Sequence, residues 1–391
     1  MKRPANASLD EVRALLVLDQ LPGVGPHGIR ALIDAFGSAE RALVQPGRIF
    51  AQVAGSGASR ARSSPEHGQR VDTGLAAVER LGMETLSWSD PAYPEALLRL
   101  ADPPPVLFLR GNSALLDRAG VAVVGSRRCT TRAKDLSRRL GQSLARAGVD
   151  VVSGMALGVD AAAHFGALQA RDAAGGTVAV VGRGADAPYP PSHAKLFRAL
   201  LDRGLVVSEF LPGTPPLPYH FPRRNRIMAA LAGTLVVVEA GARSGALITV
   251  GHALDLGRDV WAVPGPIDTG SCAGSNQLLA EGALPLVSID RFVTDITGLV
   301  GGGRAEAGAE HADDAYGASH AVGAEGAAKP AGRPLAEPER RILRSLGQGP
   351  LHVDALAARA GLDVPVALAL LVQLELDGAV EQMPGFLFRA A

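Results

Sequence analysis

Short apolar runs recur through the middle of this chain, each ending in a small or polar residue. The first, Val121–Val124, stops at Gly125 and Ser126 and gives way to Thr131–Ala147, where apolar residues return every three or four positions. The run predicts a buried strand and the spaced pattern an amphipathic helix. Further runs follow at Val149–Val152, Thr177–Val181, Leu205–Val207, Leu235–Glu239, Val260–Val263 and Leu284–Ser288, with helical patterns between them. Short strands alternating with helices imply an α/β fold whose parallel sheet is covered on both faces. In such sheets ligands bind beyond the carboxyl ends of the strands, where helix N-termini offer free N–H groups to anions. Function is therefore expected in the loops that follow the strands.

The flanks read differently. Residues from about Leu9 to Ala77 predict short helices, with Ser38 as an N-cap and Leu21–Gly25 (LPGVG) as a glycine turn of helix-hairpin-helix type. In such turns glycines let backbone N–H groups approach a phosphate; an ordinary helix–helix turn has the same residues. Ala51–Gly74 reads as a loop or frayed helix, and the proline-rich stretch before Val106–Leu109 as the entry to the central sheet, with one or two early strands. Gly301–Pro334 is rich in Gly and Ala without an apolar period and predicts a flexible linker. Helices from Glu337, Val353 and Pro365, then a two-strand wing over Gly378–Arg389, predict a winged helix. The expected division is 1–80 helical, 81–300 sheet domain, 301–334 linker and 335–391 winged helix.

Composition narrows the function classes. With 391 residues, 47% hydrophobic and 20% charged, the chain predicts a globular protein of two or three domains. No stretch is apolar enough to span a bilayer, the first residues lack a signal peptide's apolar core, and two cysteines make no disulfide framework. A cytoplasmic protein without a membrane partner is expected. Net charge is zero, yet Val121–Ala232 holds 15 Lys+Arg against 7 Asp+Glu. A local basic patch is what phosphate binding requires. Leu335–Ala391 holds 5 Lys+Arg against 7 Asp+Glu, and its presumed recognition helix has no cation, so that module reads as a protein or dimer contact.

The candidate chemistry lies in the strand-end loops. Gly125-Ser126-Arg127-Arg128 lacks the glycines of a dinucleotide fingerprint, so no nicotinamide or flavin cofactor is expected; Ser126, Arg127 and the local N–H groups suit a single phosphate, with Arg128 read as a solvated residue. Asp160 and His164 share a helix face, but no third ligand supports a metal. Lys195 is one of four lysines. The strongest feature is Tyr219–Arg226 (YHFPRRNR), where Arg223, Arg224, Asn225 and Arg226 stand beside Tyr219, His220 and Phe221. Guanidinium groups beside flat side chains suit single-stranded nucleic acid. Glu239 at a strand end reads as an arginine partner, and Ser244 and Gly245 open the next helix.

Together these motifs resemble the DNA-processing protein A (DprA/Smf) family. The resemblance rests on Val-Val-Gly-Ser-Arg at 123–127, Ser-Gly-x-Ala-x-Gly-x-Asp-x-Ala-Ala-His at 153–164, Tyr-Pro at 189–190 and Phe-Pro-x-Arg-Asn-Arg at 221–226. Val-Glu-Ala-x-x-x-Ser-Gly-x-Leu-Ile-Thr at 238–249 and Ala-Val-Pro-Gly at 262–265 complete it. It implies an extended Rossmann-like fold, homodimerisation, single-stranded DNA binding without catalysis, and loading of the RecA recombinase onto incoming DNA in natural transformation. The implied DNA pocket holds Gly125, Ser126, Arg127, Arg224, Asn225, Arg226, Ser244 and Gly245, with Phe221, Arg223 and Lys195 as further contacts. Two other readings fit parts of the pattern. A phosphoribohydrolase-like enzyme using Glu239 needs a Pro-Gly-Gly-x-Gly-Thr-type loop, which is missing; a protein scaffold leaves the basic pocket without a role.

Overall fold

The computed structural model describes residues 8–170, 173–301, 337–346 and 351–362, with 366–367, 370–371, 374, 379–383 and 387–390. Two compact units divide at Glu306. The first unit opens with five helices, α1 (Leu9–Asp19), α2 (Pro26–Phe36), α3 (Ala39–Leu43), α4 (Gly47–Ala61) and α5 (Pro65–Arg80). Ser38 caps α3 as its sequence suggests, accepting from the Arg41 N–H at 3.1 Å. Where a loop or frayed helix was expected, the chain forms α4 and α5. Gly55 adopts φ 84° and kinks α4, which hides the helical period, while Phe50, Ala58 and Val71 still point into the core.

After β1 (Glu84–Ser87), α6 (Glu95–Leu98) and β2 (Val106–Gly111), strands and helices alternate as the pattern predicted: β3 (Gly120–Val124), α7 (Thr131–Arg146), β4 (Val151–Ser153), α8 (Val159–Gln169), β5 (Thr177–Val180), α9 (Ala194–Arg203) and β6 (Leu205–Ser208). The unit continues through α10 (His220–Leu231), β7 (Ala232–Val237), α11 (Ala246–Asp255), β8 (Asp259–Ala262), α12 (Ala273–Ala280), β9 (Leu284–Pro285) and α13 (Ile289–Gly301). The nine strands lie in the order β1-β2-β6-β5-β4-β3-β7-β8-β9. All pairs from β6 to β9 are parallel, whereas β2 runs antiparallel to both neighbours. An apolar run reports burial and not direction, so the antiparallel strand is not legible in it.

Alternate residues of each strand feed different cores. Ala122, Val124, Val178, Val180, Leu205, Val207, Leu235 and Val237 face α10 and α11. On the other face Val121, Val123 and Val236 pack under α7, α8 and α13. Farther along that face, Val106, Phe108 and Val206 share a core with α9 and with Leu15, Leu18 and Ile29 of the N-terminal helices. Those helices have no separate core; they cover part of the sheet. Both faces are therefore closed, which is why the strands carry continuous apolar runs.

In the second unit, α14 (Glu337–Leu346) and α15 (Val353–Ala360) accompany a three-stranded antiparallel sheet of β10 (Leu351–His352), β12 (Leu387–Ala390) and β11 (Val380–Met383). Ile342, Leu346, Leu356, Leu371, Leu374 and Phe388 form its core. This is the expected winged helix. The linker expected over 301–334 lies outside the described residues beyond Gly301, as does most of the helix expected over Pro365–Leu376.

Candidate nucleic-acid interface

Strand order reverses between β3 and β7: β4, β5 and β6 lie on one side of β3, and β7, β8 and β9 on the other. The loops leaving these two strands diverge, and a cleft forms between them. Two glycines set its floor. A Cβ at Gly125 would meet Val159 at 2.7 Å and the Glu239 carbonyl at 2.9 Å. Gly158 has φ 83°, and a Cβ there would strike the Ser126 carbonyl. Close approach and left-handed backbone thus hold the β3 and β4 loops against each other. Ser126 then fixes the turn: its N–H donates to the Glu239 carbonyl at 2.7 Å, and its hydroxyl accepts from the Arg128 N–H at 3.1 Å.

Glu239 was expected to pair with an arginine, and it forms no ion pair among the described residues. Its carboxylate accepts from the Thr130 N–H at 3.0 Å and the Thr130 hydroxyl at 2.7 Å, at the N-terminus of α7. An anion there meets unpaired N–H groups and the positive end of the helix. Cys129 next door has its thiol pushed up by burial and by Glu239, so the helix start does not make it a thiolate.

Beneath the cleft, the buried Asp160 accepts from the Gly154 N–H at 3.2 Å and the Ala156 N–H at 3.4 Å. His164 is also buried and takes the Met155 N–H on Nε2 at 3.3 Å. Its Nδ1 lies 2.7 Å from the Thr177 hydroxyl, which donates to the Val151 carbonyl at 2.9 Å. The ring is thus neutral with its proton on Nδ1. Burial, helped by Arg224 and His193, pushes its pKa down to about 3. Asp160 and His164 do not pair; both hold the loop after β4. Arg224 is 4% exposed and donates to the carbonyls of Gly154 and Val180, with Asp160 at 3.9 Å. Burial lowers its pKa to about 10 and raises that of Asp160, and the attraction between the two groups opposes both shifts.

Helix α10 has two working faces. Phe221, Arg224, Asn225 and Met228 recur at helical spacing and line the cleft. Arg223 and Arg226 lie on another face, where Glu209 meets Arg223 at 3.0 Å and Arg226 at 2.8 Å, and Asp102 meets Arg226 at 2.9 Å. Across the cleft mouth, the Arg127 guanidinium stands 5.1 Å from the Phe221 ring centre, and the Tyr189 ring lies 5.5 Å from Phe221 on a 34° tilt. Opposite them, Gly241, Arg243, Ser244 and Gly245 lead from β7 into α11. The cleft has about 760 Å³, and Arg127, Arg128 and Arg243 are its exposed cations.

Comparison with known proteins places this arrangement. Residues 84–297 match the family model of DNA recombination-mediator protein A, and residues 326–385 match the DprA winged helix domain. Protein Smf of Escherichia coli K12 is 34% identical over 316 residues, covering 81% of this chain and 79% of that protein. The chain belongs to the DprA/Smf family. The DNA processing protein DprA of Streptococcus pneumoniae R6 is 42% identical over 214 residues, 55% of this chain and 74% of that protein. The X-ray structure of DprA from S. pneumoniae superposes with a TM-score of 0.63 at 33% identity, over 74% of this chain and 99% of that one. DNA processing protein A of Helicobacter pylori, whose structure addresses its single-stranded DNA binding mode, superposes at 0.50 and 30% identity, over 55% and 95% of the two chains.

The DprA motifs are therefore spread over several elements that meet at one cleft. Of the residues singled out in the sequence, Gly125, Ser126, Arg127, Phe221, Arg224, Asn225, Ser244 and Gly245 line it. Arg226 does not: a buried guanidinium needs a carboxylate, and Glu209 supplies one. Arg223 is drawn to the same carboxylate, and Lys195 stands exposed on the first turn of α9, outside the lining. Among the lining residues missed are two cations and a ring. Arg128 was read as solvated surface, Arg243 was passed over, and Tyr189 entered only as part of the Tyr-Pro motif. The available signal was position: each sits in a loop that leaves the carboxyl end of a strand. Among the described residues no group of His, Cys, Asp and Glu is placed to hold a metal ion, and no helix is long and apolar enough to cross a membrane.

Proposed function

We propose that the chain is a non-catalytic recombination mediator that binds single-stranded DNA in the cleft between the β3 and β7 loops and hands it to RecA, in the cytoplasm, during DNA processing in transformation. One observation carries the reading: Arg127, Arg128 and Arg243 stand exposed around a stack of Arg127, Phe221 and Tyr189. Guanidinium groups neutralise phosphates, and flat rings accept unpaired bases that a duplex keeps stacked inside. Ser126 and Ser244 add hydroxyls in the loops that follow β3 and β7, with Gly125 and Gly245 beside them in the lining. Arg224 and Asn225 support the cleft from below. The family description as a recombination mediator, and the single-stranded DNA binding of the H. pylori relative, support the same partner. A Glu239 whose two carboxylate oxygens are held by Thr130 speaks against a hydrolytic base.

Homodimerisation belongs to the proposal. The edge strand β9 leaves Leu284 exposed, with Val287 three residues on exposed as well, so an apolar sheet edge is open to a second copy. Fluorescence anisotropy with labelled oligo-dT, single- and double-stranded, over a salt series tests the reading. Preferential single-strand binding that weakens with salt and is reduced in Arg127→Ala supports it. Failure to retain single strands at moderate salt, or release of free base from a nucleoside monophosphate, overturns it. Transfer to RecA is read by strand exchange on DNA precoated with a single-strand-binding protein.

A further inference from the structure

The solvent face of α7 carries charge that the cleft does not use. Arg132, Lys134, Arg138, Arg139 and Arg146 are exposed along this helix, with Asp135 its one acid. Asp135 pairs with Arg138 at 2.9 Å; Arg132, Lys134, Arg139 and Arg146 form no ion pair among the described residues. The opposite face, with Ala133, Leu140 and Leu144, is buried against the sheet. On the neighbouring α13, Arg291 and Asp295 pair with each other at 4.0 Å.

Position makes this face more than a solvated one. Arg132, Arg139 and Arg146 recur every seven residues and so fall in one line, about 10 Å apart and about 21 Å from first to last. The line starts where the cleft ends, since Arg128 lines the cleft and Thr130 caps α7. Exposed helices ordinarily alternate signs, and like charges at neighbouring turns repel. In a chain of zero net charge, concentrating cations here costs stability unless a polyanion lies on them.

We propose that this face of α7 is a track along which single-stranded DNA continues from the cleft, its phosphates passing Arg132, Arg139 and Arg146. The inference rests on the DNA-binding reading of the cleft. The helix has no aromatic residue, so the track grips backbone without regard to sequence, and its effect appears only with strands long enough to leave the cleft.

The test compares oligo-dT of about six and about thirty nucleotides on wild type and R132Q/R139Q/R146Q, by anisotropy across a salt series. The variant is expected to bind the short strand as wild type does, which also shows that it is folded. On the long strand its slope of log K against log salt should be shallower by about 2, three phosphates at about 0.7 each, with affinity at low salt reduced at least tenfold. Equal slopes and affinities on the long strand overturn the track. Equal loss on both strands also overturns it, because the arginines would then belong to the cleft's own site. If wild type binds neither length, the DNA-binding reading falls and the track falls with it.

Discussion

On one face of α10, Arg223 and Arg226 converge on the buried Glu209; on another, Phe221, Arg224 and Asn225 open onto a cleft ringed by Arg127, Arg128 and Arg243. Both regions concentrate arginine, but with different electrostatics. At Glu209 burial alone would lower the Arg226 pKa, and the carboxylates of Glu209 and Asp102 reverse that shift. Those charges are already satisfied and have nothing to offer a phosphate. Around the cleft the carboxylates are turned inward, Asp160 to backbone N–H groups and Arg224, Glu239 to Thr130, and the outer cations are left uncompensated. An arginine's role is thus decided by where the nearest carboxylate is held.

The largest effect that would break the comparison concerns the closed region. Glu209→Ala leaves Arg226 with one partner in a buried site, and loss of a partner from a buried pair costs about 3–5 kcal/mol. Urea denaturation should show a lower midpoint, with Arg127→Ala near wild type. Next comes the open region. Phe221→Ala should weaken oligo-dT binding by about 1–3 kcal/mol, the range for base–aromatic stacking, while leaving the unfolding free energy within about 1 kcal/mol of wild type.

Taken per pH unit, the effect beneath the cleft is the smaller one. His164 takes up its proton near pH 3 in the folded chain and near 6.5 when unfolded, so its contribution to stability is complete above pH 6.5 and is lost as pH falls toward 3. Within that window the unfolding free energy should drop by about 1.4 kcal/mol per pH unit from this group. His164→Gln should remove that slope, which denaturation at stepped pH measures.

Much of the sheet was legible, because its inner strands, β3 to β7, are buried on both faces and read as apolar runs. The α4–α5 segment was not, since Gly55 and a run of small residues blur its helical period. The site was legible as a set of strand-end loops and as the YHFPRRNR cluster, but not in its division between two faces of α10. Arg224 and Arg226, two residues apart on a helix, point to different sides, whereas Arg223 and Arg226, three apart, share one. That phase follows only once the helix is known to begin at His220. Glu209, which draws both arginines away from the cleft, follows a separate strand, β6, and gave no sign of pairing in the sequence.

The most direct measurement sets the two regions side by side: the salt slope of short oligo-dT binding for Arg127→Ala/Arg243→Ala and for Arg223→Ala. If the cleft arginines hold the phosphates and Glu209 has claimed the others, the double variant's slope is shallower by about 1.4, and Arg223→Ala keeps the wild-type slope. A slope that flattens in Arg223→Ala and stays unchanged in the double variant would place the DNA on the Glu209 face and contradict the account.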